Sequence, residues 1–302
     1  MSSALDWERE GRIWPHREAS SFVDAGGLHW HIQRMGGGPK VLLLHGTGAS
    51  VHSWHRLMPR LAEHFDVMAP DLPGHAFTRG RIPGGQTLNG MAKALAALLE
   101  RVSFTPDLVV GHSAGAALAI GWVSARSPGT PIVGLNPAIM PFRGPAAQVF
   151  PAMAKLLLVN PFAPRIFARL ARVPGEAGRF LKRSTGSSTD AVSEACYAAL
   201  FGNHRHARGA LEMMANWDLG AFQRLLPTLQ SSTLLLHGKG DLAIPLASVR
   251  KAAALIPDSA SQLVPSAGHL LHEELPEKVG EAILAFAREA GLIREEQPQE
   301  AP

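Results

Sequence analysis

The stretch Val109-Val110-Gly111-His112-Ser113-Ala114-Gly115 is a G-x-S-x-G motif. It lies between an apolar run, Asp107 to Val110, and a small-residue run, Ala116 to Ile120. The first run reads as a strand and the second as a helix. A serine on a sharp strand-to-helix turn needs small flanking residues, because its backbone is strained and its hydroxyl must stand exposed. Glycine and serine also fill ordinary turns, so the motif is a site only if the chain supplies partners for it.

A serine hydroxyl is a weak nucleophile at neutral pH and requires a base, an orienting group for that base and an oxyanion site. His269, in Pro265-Ser-Ala-Gly-His-Leu-Leu, follows a strand-like run and is the candidate base. Asp241, in Gly238-Lys-Gly-Asp-Leu-Ala-Ile-Pro245, follows another and is the candidate orienter. The loop after Leu135 is a second place for an acid, but it carries Asn136, which cannot stabilise an imidazolium by charge. The order Ser, Asp, His is the one the elbow motif predicts. Two backbone N–H groups are the expected oxyanion donors: Ala114, at a helix start, and Thr47, in the glycine-flanked turn His45-Gly-Thr-Gly48. Each motif alone is a common turn. The chain has 14 histidines, and a histidine is more often a surface or hydrogen-bonded core residue than a base. His31, His52, His55, His64, His204 and His206 are assigned to that ordinary class. His45, His112 and His237 end strands and are expected to make structural hydrogen bonds, and His272 competes with His269 without its Gly-His context.

The rest of the chain supplies the frame. Phe22 to Arg34 reads as a hairpin turning at Gly26-Gly27, and Lys40 to His45 as a strand buried on both faces. Val51 to Phe65 has helical spacing, Asp66 to Asp71 is a short strand, and Thr87 can cap a helix over Leu88 to Val102. A strand over Pro131 to Asn136 completes six. Strand and helix signals then stop until Ser232 to His237, which is followed by a helix (Leu246 to Ile256), a strand (Ser261 to Val264) and a helix from Glu274. The pattern predicts an α/β fold: a mostly parallel central sheet flanked by helices, with a helical lid inserted after the sixth sheet strand. The expected divisions are a first core part at 1–136, a basic helical lid at 137–230, a second core part at 231–293 and a disordered tail at 294–302. Residues 1–19, which include Trp7 and Trp14, show no periodicity and are expected to lie across the surface.

Composition narrows the class. A hydrophobic content of 46% with 18% charged residues is that of a soluble globular protein. The single cysteine, Cys196, excludes an intramolecular disulfide and a cysteine-rich metal site. Neither a metal cluster nor a phosphate loop is legible, no cofactor is expected, and nothing suggests nucleic acid. Met1 to Arg17 lacks an apolar signal core, so a cytoplasmic location is expected. The net charge of +4 is uneven: residues 137–230 carry 11 Lys/Arg against 5 Asp/Glu. Within them Arg165, Arg169 and Arg172 share one helical face close to Phe162. Such a surface suits an apolar anion such as a tetrapyrrole, or an anionic membrane face; a solvated basic face over a packed lid is the ordinary alternative.

Taken together, His45-Gly-Thr-Gly, Trp54, Asp71-Leu-Pro-Gly-His75, Gly111-His-Ser-Ala-Gly115, Gly238-Lys-Gly-Asp241 and Gly268-His269 resemble the α/β-hydrolase superfamily over nearly the whole chain. Ser113 argues against the dehalogenase and epoxide hydrolase branches, which place an aspartate there. Asp6-Trp7, Trp14-Pro-His-Arg17, Ser21-Phe-Val-Asp-Ala-Gly-Gly, His45-Gly-Thr-Gly-Ala-Ser, Leu135-Asn-Pro-Ala and Pro141-Phe-Arg-Gly are similar to the magnesium-chelatase accessory proteins of bacteriochlorophyll biosynthesis. That resemblance implies a role near magnesium insertion into protoporphyrin, with chelatase subunits as partners. Three functions follow as expectations: a serine hydrolase of esters or similar acyl bonds, a non-catalytic accessory that binds porphyrin or a chelatase subunit, and a meta-cleavage carbon–carbon hydrolase.

Overall fold

The computed structural model describes residues 4–83, 85–141, 163–171, 173 and 175–294. Among the described residues nine strands form one sheet: β1 Ser20–Ala25, β2 Leu28–Gly36, β3 Lys40–Leu44, β4 Asp66–Pro70, β5 Arg79–Gly80, β6 Leu108–His112, β7 Ile132–Leu135, β8 Thr233–Gly238 and β9 Ser259–Val264. Their order is β1-β2-β4-β3-β6-β7-β8-β9, with the two-residue β5 paired to β2. The β1–β2 hairpin and its pairing to β4 are antiparallel, and every neighbour from β4 to β9 is parallel.

The apolar strands divide their side chains between two cores. Val41, Leu43, Val110, Val133 and Leu236 belong to one, and Leu42, Leu44, Val109, Ile132 and Leu235 to the other. That alternation explains why these strands read as continuous apolar runs. Helices α2 (Leu88–Arg101) and α3 (Ala114–Arg126) cover the second face, and α2 begins where the Thr87 side chain accepts a hydrogen bond from the Gly90 N–H. Parallel register brings the carboxyl ends of β3, β6, β7 and β8 level, with Leu44 opposite Gly111, His112 opposite Leu135 and Leu135 opposite Leu236. The chain leaves β3 towards β4 on one side and β6 towards β7 on the other. The resulting crevice between the ends of β3 and β6 is where open α/β sheets take ligands.

Several expected boundaries move. The single helix expected over Val51 to Phe65 is a 3-10 turn, Val51–Trp54, and a short helix α1, Met58–Ala62. Pro59 lies in the first turn of α1, where its missing N–H costs nothing. The last helix, expected from Glu274, starts at Pro276 as α11 Pro276–Glu289, and a separate short helix, α10 Leu271–Glu274, precedes it. Between β7 and β8 the described residues hold only helical structure: α4 Ala163–Leu170, α5 Glu176–Thr185, α6 Ala191–Phe201, α7 His204–Asn216, α8 Leu219–Gln223 and a 3-10 turn at Leu226–Thr228. Helix α9 (Leu246–Ala253) follows β8. Most of the described N-terminal residues are partly or fully exposed, as expected of a segment along the surface, but the segment is anchored at points the sequence did not reveal. Leu5 and Trp14 are buried in the first core, and the Trp14 ring packs edge-on to Phe77 at 4.8 Å. Irregular backbone carries no period to read, yet large aromatic rings still seek the core.

A buried polar cluster joins α6 to the sheet domain. The Tyr197 hydroxyl lies 2.7 Å from Glu273 Oε1, Ser53 Oγ donates to the same oxygen, and Ser53 is also 2.8 Å from His272 Nε2. Burial pushes the Glu273 carboxyl up from 4.5 to about 7, against the hydrogen bonds of Ser53 and Tyr197. The native state therefore holds a proton that the unfolded chain releases above pH 4.5, so this group lowers stability as pH rises from 4.5 to about 7. Glu273→Gln mimics the protonated acid. Thermal and urea unfolding across pH should show the variant gaining on wild type through that window, by up to about 3 kcal/mol at pH 8; parallel pH curves would contradict the assignment.

Candidate active site

Ser113 follows the last residue of β6 and precedes α3, with φ 51° and ψ −117°. A non-glycine residue there costs on the order of 1–3 kcal/mol, and only surroundings that over-determine the backbone keep it. Those surroundings are visible. The Ser113 N–H donates to the Leu135 carbonyl at 2.9 Å, and the Ser113 carbonyl accepts from Ala116 and Ala138, both at 3.1 Å. A Cβ at Gly111 would lie 2.5 Å from the Ala116 nitrogen, and one at Gly115 would overlap the Leu44 carbonyl oxygen. Both glycines of the motif are thus required by close packing of β6, α3 and β3.

His269 and Asp241 come together. His269 Nδ1 is 2.9 Å from Asp241 Oδ2, and the Asp241 side chain is fully shielded from solvent. With its proton on Nδ1 facing the carboxylate, the ring keeps its Nε2 lone pair. Asp241 Oδ1 accepts the backbone N–H groups of Ala243 and Ile244 at 2.7 and 2.9 Å. Oδ2 also accepts the Asn136 side-chain amide at 2.6 Å. Burial alone would raise the Asp241 carboxyl. The His269 hydrogen bond and charge, with the Ile244 and Asn136 donors, outweigh burial and hold it below the usual aspartate range.

Backbone contacts tie the His269 loop to the serine turn. His112, next to Ser113, donates Nε2–H to the His269 carbonyl at 2.9 Å, and the two rings are 4.8 Å apart. Burial and the nearby His269 push His112 down to about 3, so it is neutral and a reliable donor. The helical region contributes as well: the Thr185 carbonyl accepts the His269 N–H at 2.9 Å, and Ser187 Oγ accepts the Leu270 N–H at 2.8 Å.

The His45–Gly48 turn lies against the serine. A Cβ at Gly46 would sit 3.1 Å from Ser113 Cβ and 2.9 Å from His112 Nδ1, so bare backbone faces the Ser113 side chain. His45 braces the turn, its Nδ1 2.8 Å from the Gly46 carbonyl and its Nε2 accepting the Leu72 N–H at 2.9 Å. Among the described residues the N–H groups of Thr47 and Ala114 have no hydrogen-bond acceptor. Thr47 Oγ1 contacts Met213 Sδ of α7 at 3.4 Å.

Of the expected lid positions, Arg165 and Arg169 are exposed on α4, while Phe162 and Arg172 lie outside the described residues. Two of the other histidines have clear structural partners: His31 binds Asp71 at 2.7 Å, and His206 bridges the Gly48 carbonyl and the Ala76 N–H. Sequence reading missed Asn136, Thr185 and Ser187. Asn136 carried a signal, since it ends a strand beside the serine strand, and asparagine tolerates the positive φ of 45° found there. Thr185 and Ser187 are distant in sequence and carried none.

A family profile described as "Alpha/beta hydrolase family" matches residues 41–282. The chain belongs to the α/β-hydrolase family. It is 37% identical over 262 residues to the "Magnesium-chelatase 30 kDa subunit" of Rhodobacter capsulatus, covering 86% of this chain and 91% of that protein. It is 26% identical over 283 residues to the 2-hydroxy-6-oxo-6-(2'-aminophenyl)hexa-2,4-dienoic acid hydrolase of Metapseudomonas resinovorans, covering 90% and 92%. The fold is shared with a thermophilic esterase from Thermogutta terrifontis at a TM-score of 0.70 and 24% identity, over 89% of this chain and 98% of that one. Among the described residues no helix is long and apolar enough to cross a membrane.

Close packing at the elbow has a direct check. Gly115→Ala forces a methyl group into the Leu44 carbonyl, so urea unfolding should show a loss of roughly 3 kcal/mol. A loss below the cost of an ordinary surface change would mean that β3 and α3 are not in tight contact.

Proposed function

We propose that this chain is a serine hydrolase that cleaves an ester or related acyl bond, and that it serves as an accessory to magnesium insertion into protoporphyrin. The observation that carries the first part is the strained Ser113 backbone beside a His269–Asp241 pair at 2.9 Å. His269 Nε2 takes the Ser113 hydroxyl proton as Oγ attacks the acyl carbon. Asp241, ionised and fully buried, stabilises the imidazolium that forms. The N–H groups of Thr47 and Ala114 receive the oxyanion, aided by the amino end of α3. Collapse of the tetrahedral species transfers the proton from His269 to the leaving group and leaves an acyl-serine. Water, deprotonated by the same histidine, then releases the acid.

The helices between β7 and β8 act as a lid over this site in the proposal, supported by the Thr185 bond to the N–H of the base and the Ser187 bond to that of Leu270, the residue after it. The setting in magnesium insertion is supported by the 37% identity to the Rhodobacter capsulatus chelatase subunit, with chelatase subunits as the partners implied. A second reading, carbon–carbon bond hydrolysis of a dienoate by the same three residues, draws on the 26% identity to the Metapseudomonas hydrolase.

A fluorophosphonate probe should label the wild-type protein at Ser113, and Ser113→Ala should abolish labelling. Retention of label in that variant would sink the hydrolase reading. Complementation of a pigment-deficient strain by wild type and Ser113→Ala, side by side, tests whether the biological role uses the serine. Equal rescue by both would leave the accessory role and remove catalysis from it.

Asn136→Asp offers a pH test. It puts a carboxylate at hydrogen-bond distance from Asp241 Oδ2, and like charges that close raise the proton affinity of the pair. The acid limb of the labelling rate should therefore move up by about one pH unit or more. An unchanged limb would show that the Asp241 charge does not govern the reactivity of Ser113.

A further inference from the structure

A cleft of about 830 Å³ opens between the segment that carries Pro73 to Gln86 and helix α7. Arg79, Arg81, Arg165, Arg205 and Arg208 line it, against a single carboxylate, Glu212. Glu212 is paired with Arg208 at 2.8 Å. Arg79 donates to the Leu5 carbonyl at 3.0 Å. Among the described residues Arg79, Arg81 and Arg205 face no carboxylate within ion-pair distance. Leu5, Ala76 and Ile82 supply apolar lining beside these cations. The cleft's volume is in the range of small-molecule sites.

Ser113, Thr47, Asp241 and His269 do not line this cleft. Helix α7 is shared between the two places. It offers Arg205 and Arg208 to the cleft, while Met213 meets Thr47 Oγ1 and His206 Nε2 meets the Gly48 carbonyl at 3.0 Å. The wall is firm: a Cβ at Gly209 would overlap the Gly74 carbonyl, so α7 is pressed directly onto the segment opposite. Burial pushes His206 down to about 3, so it stays neutral beside the arginines.

A concave surface of one charge sign focuses field and raises the local concentration of anions. Guanidinium groups present paired donors that match carboxylate oxygens, and they are less strongly hydrated than ammonium groups. A fully hydrated inorganic anion would gain nothing from Leu5, Ala76 and Ile82, whereas an apolar body would be repelled by water and held by them. We infer that this cleft is a second ligand site, separate from Ser113, for an apolar small molecule bearing at least two carboxylates.

The test uses binding alone, so its outcome is independent of whether Ser113 is a nucleophile. Protoporphyrin, a flat apolar molecule with two propionates, is titrated into full-length Ser113→Ala protein and followed by its Soret band and by fluorescence quenching. The dimethyl ester of protoporphyrin and citrate serve as the apolar-only and charge-only probes. Expected results are saturable protoporphyrin binding, at least tenfold weaker binding of the ester, and at least tenfold weaker binding of citrate. The double variant Arg81→Glu/Arg205→Glu should lose at least tenfold in protoporphyrin affinity with an unchanged thermal midpoint. Arg126→Glu, at the far end of α3, should bind as the parent does. Equal affinity for the ester and the diacid, tighter binding of citrate, or an undiminished affinity in the folded double variant would each overturn the assignment. If the double variant does not fold, the comparison of diacid and ester in the parent decides it.

Discussion

The positive φ of Ser113 is the constraint around which the centre of the molecule is built. A residue in that conformation needs its neighbours to hold it, and here two strands, a helix and the loop at Ala138 do so. β7 receives its N–H, the start of α3 and Ala138 bind its carbonyl, and β3 leaves no room beside Gly115. The same crowding that strains the serine brings Gly46 to its side chain. Ser113 and the His45–Gly48 turn are thereby placed by one packing event between β3 and β6. The crossover in strand order at that point opens the crevice in which both are reached.

Electrostatics around the pair follow from burial. Asp241 is removed from water but meets four donors, from Ala243, Ile244, Asn136 and His269, and so remains an anion. The neighbouring His112 and His272 are pushed far below the usual histidine range by burial, with His269 adding to the shift of His112 and His112 to that of His272. Their neutrality matters, because a cation beside the pair would compete with His269 for the carboxylate. Asparagine at position 136 has the same logic: an amide supports the charge of Asp241 where an acid would oppose it.

The helical region after β7 is bound to the sheet domain through buried polar contacts as well as apolar packing. The Thr185 carbonyl holds the N–H of His269 itself and Ser187 Oγ that of Leu270, the next residue, while Tyr197 reaches Glu273 in the core. Movement of these helices would therefore reach the His269 loop directly. Helix α7 extends the link in another direction, touching Thr47 with one side and walling the arginine cleft with the other.

Much of this was legible in the chain. Apolar runs buried on both faces, the glycine-flanked serine and the order Ser113, Asp241, His269 follow local rules, since periodicity and turn chemistry depend on residues close in sequence. The α/β-hydrolase fold could be recognised from them. Helix boundaries at Pro59 and Pro276 were harder, because a proline can open a new helix as readily as end one. Burial of Trp14 was invisible, as irregular backbone has no period. The tertiary structure alone decided that Asn136 shares an oxygen of Asp241, that Thr185 holds the His269 loop, and that Arg79, Arg81 and Arg205 converge on one cleft. Those partners are separated by long stretches of chain. Only packing, which closes those distances against the entropy of the intervening loops, can set them side by side.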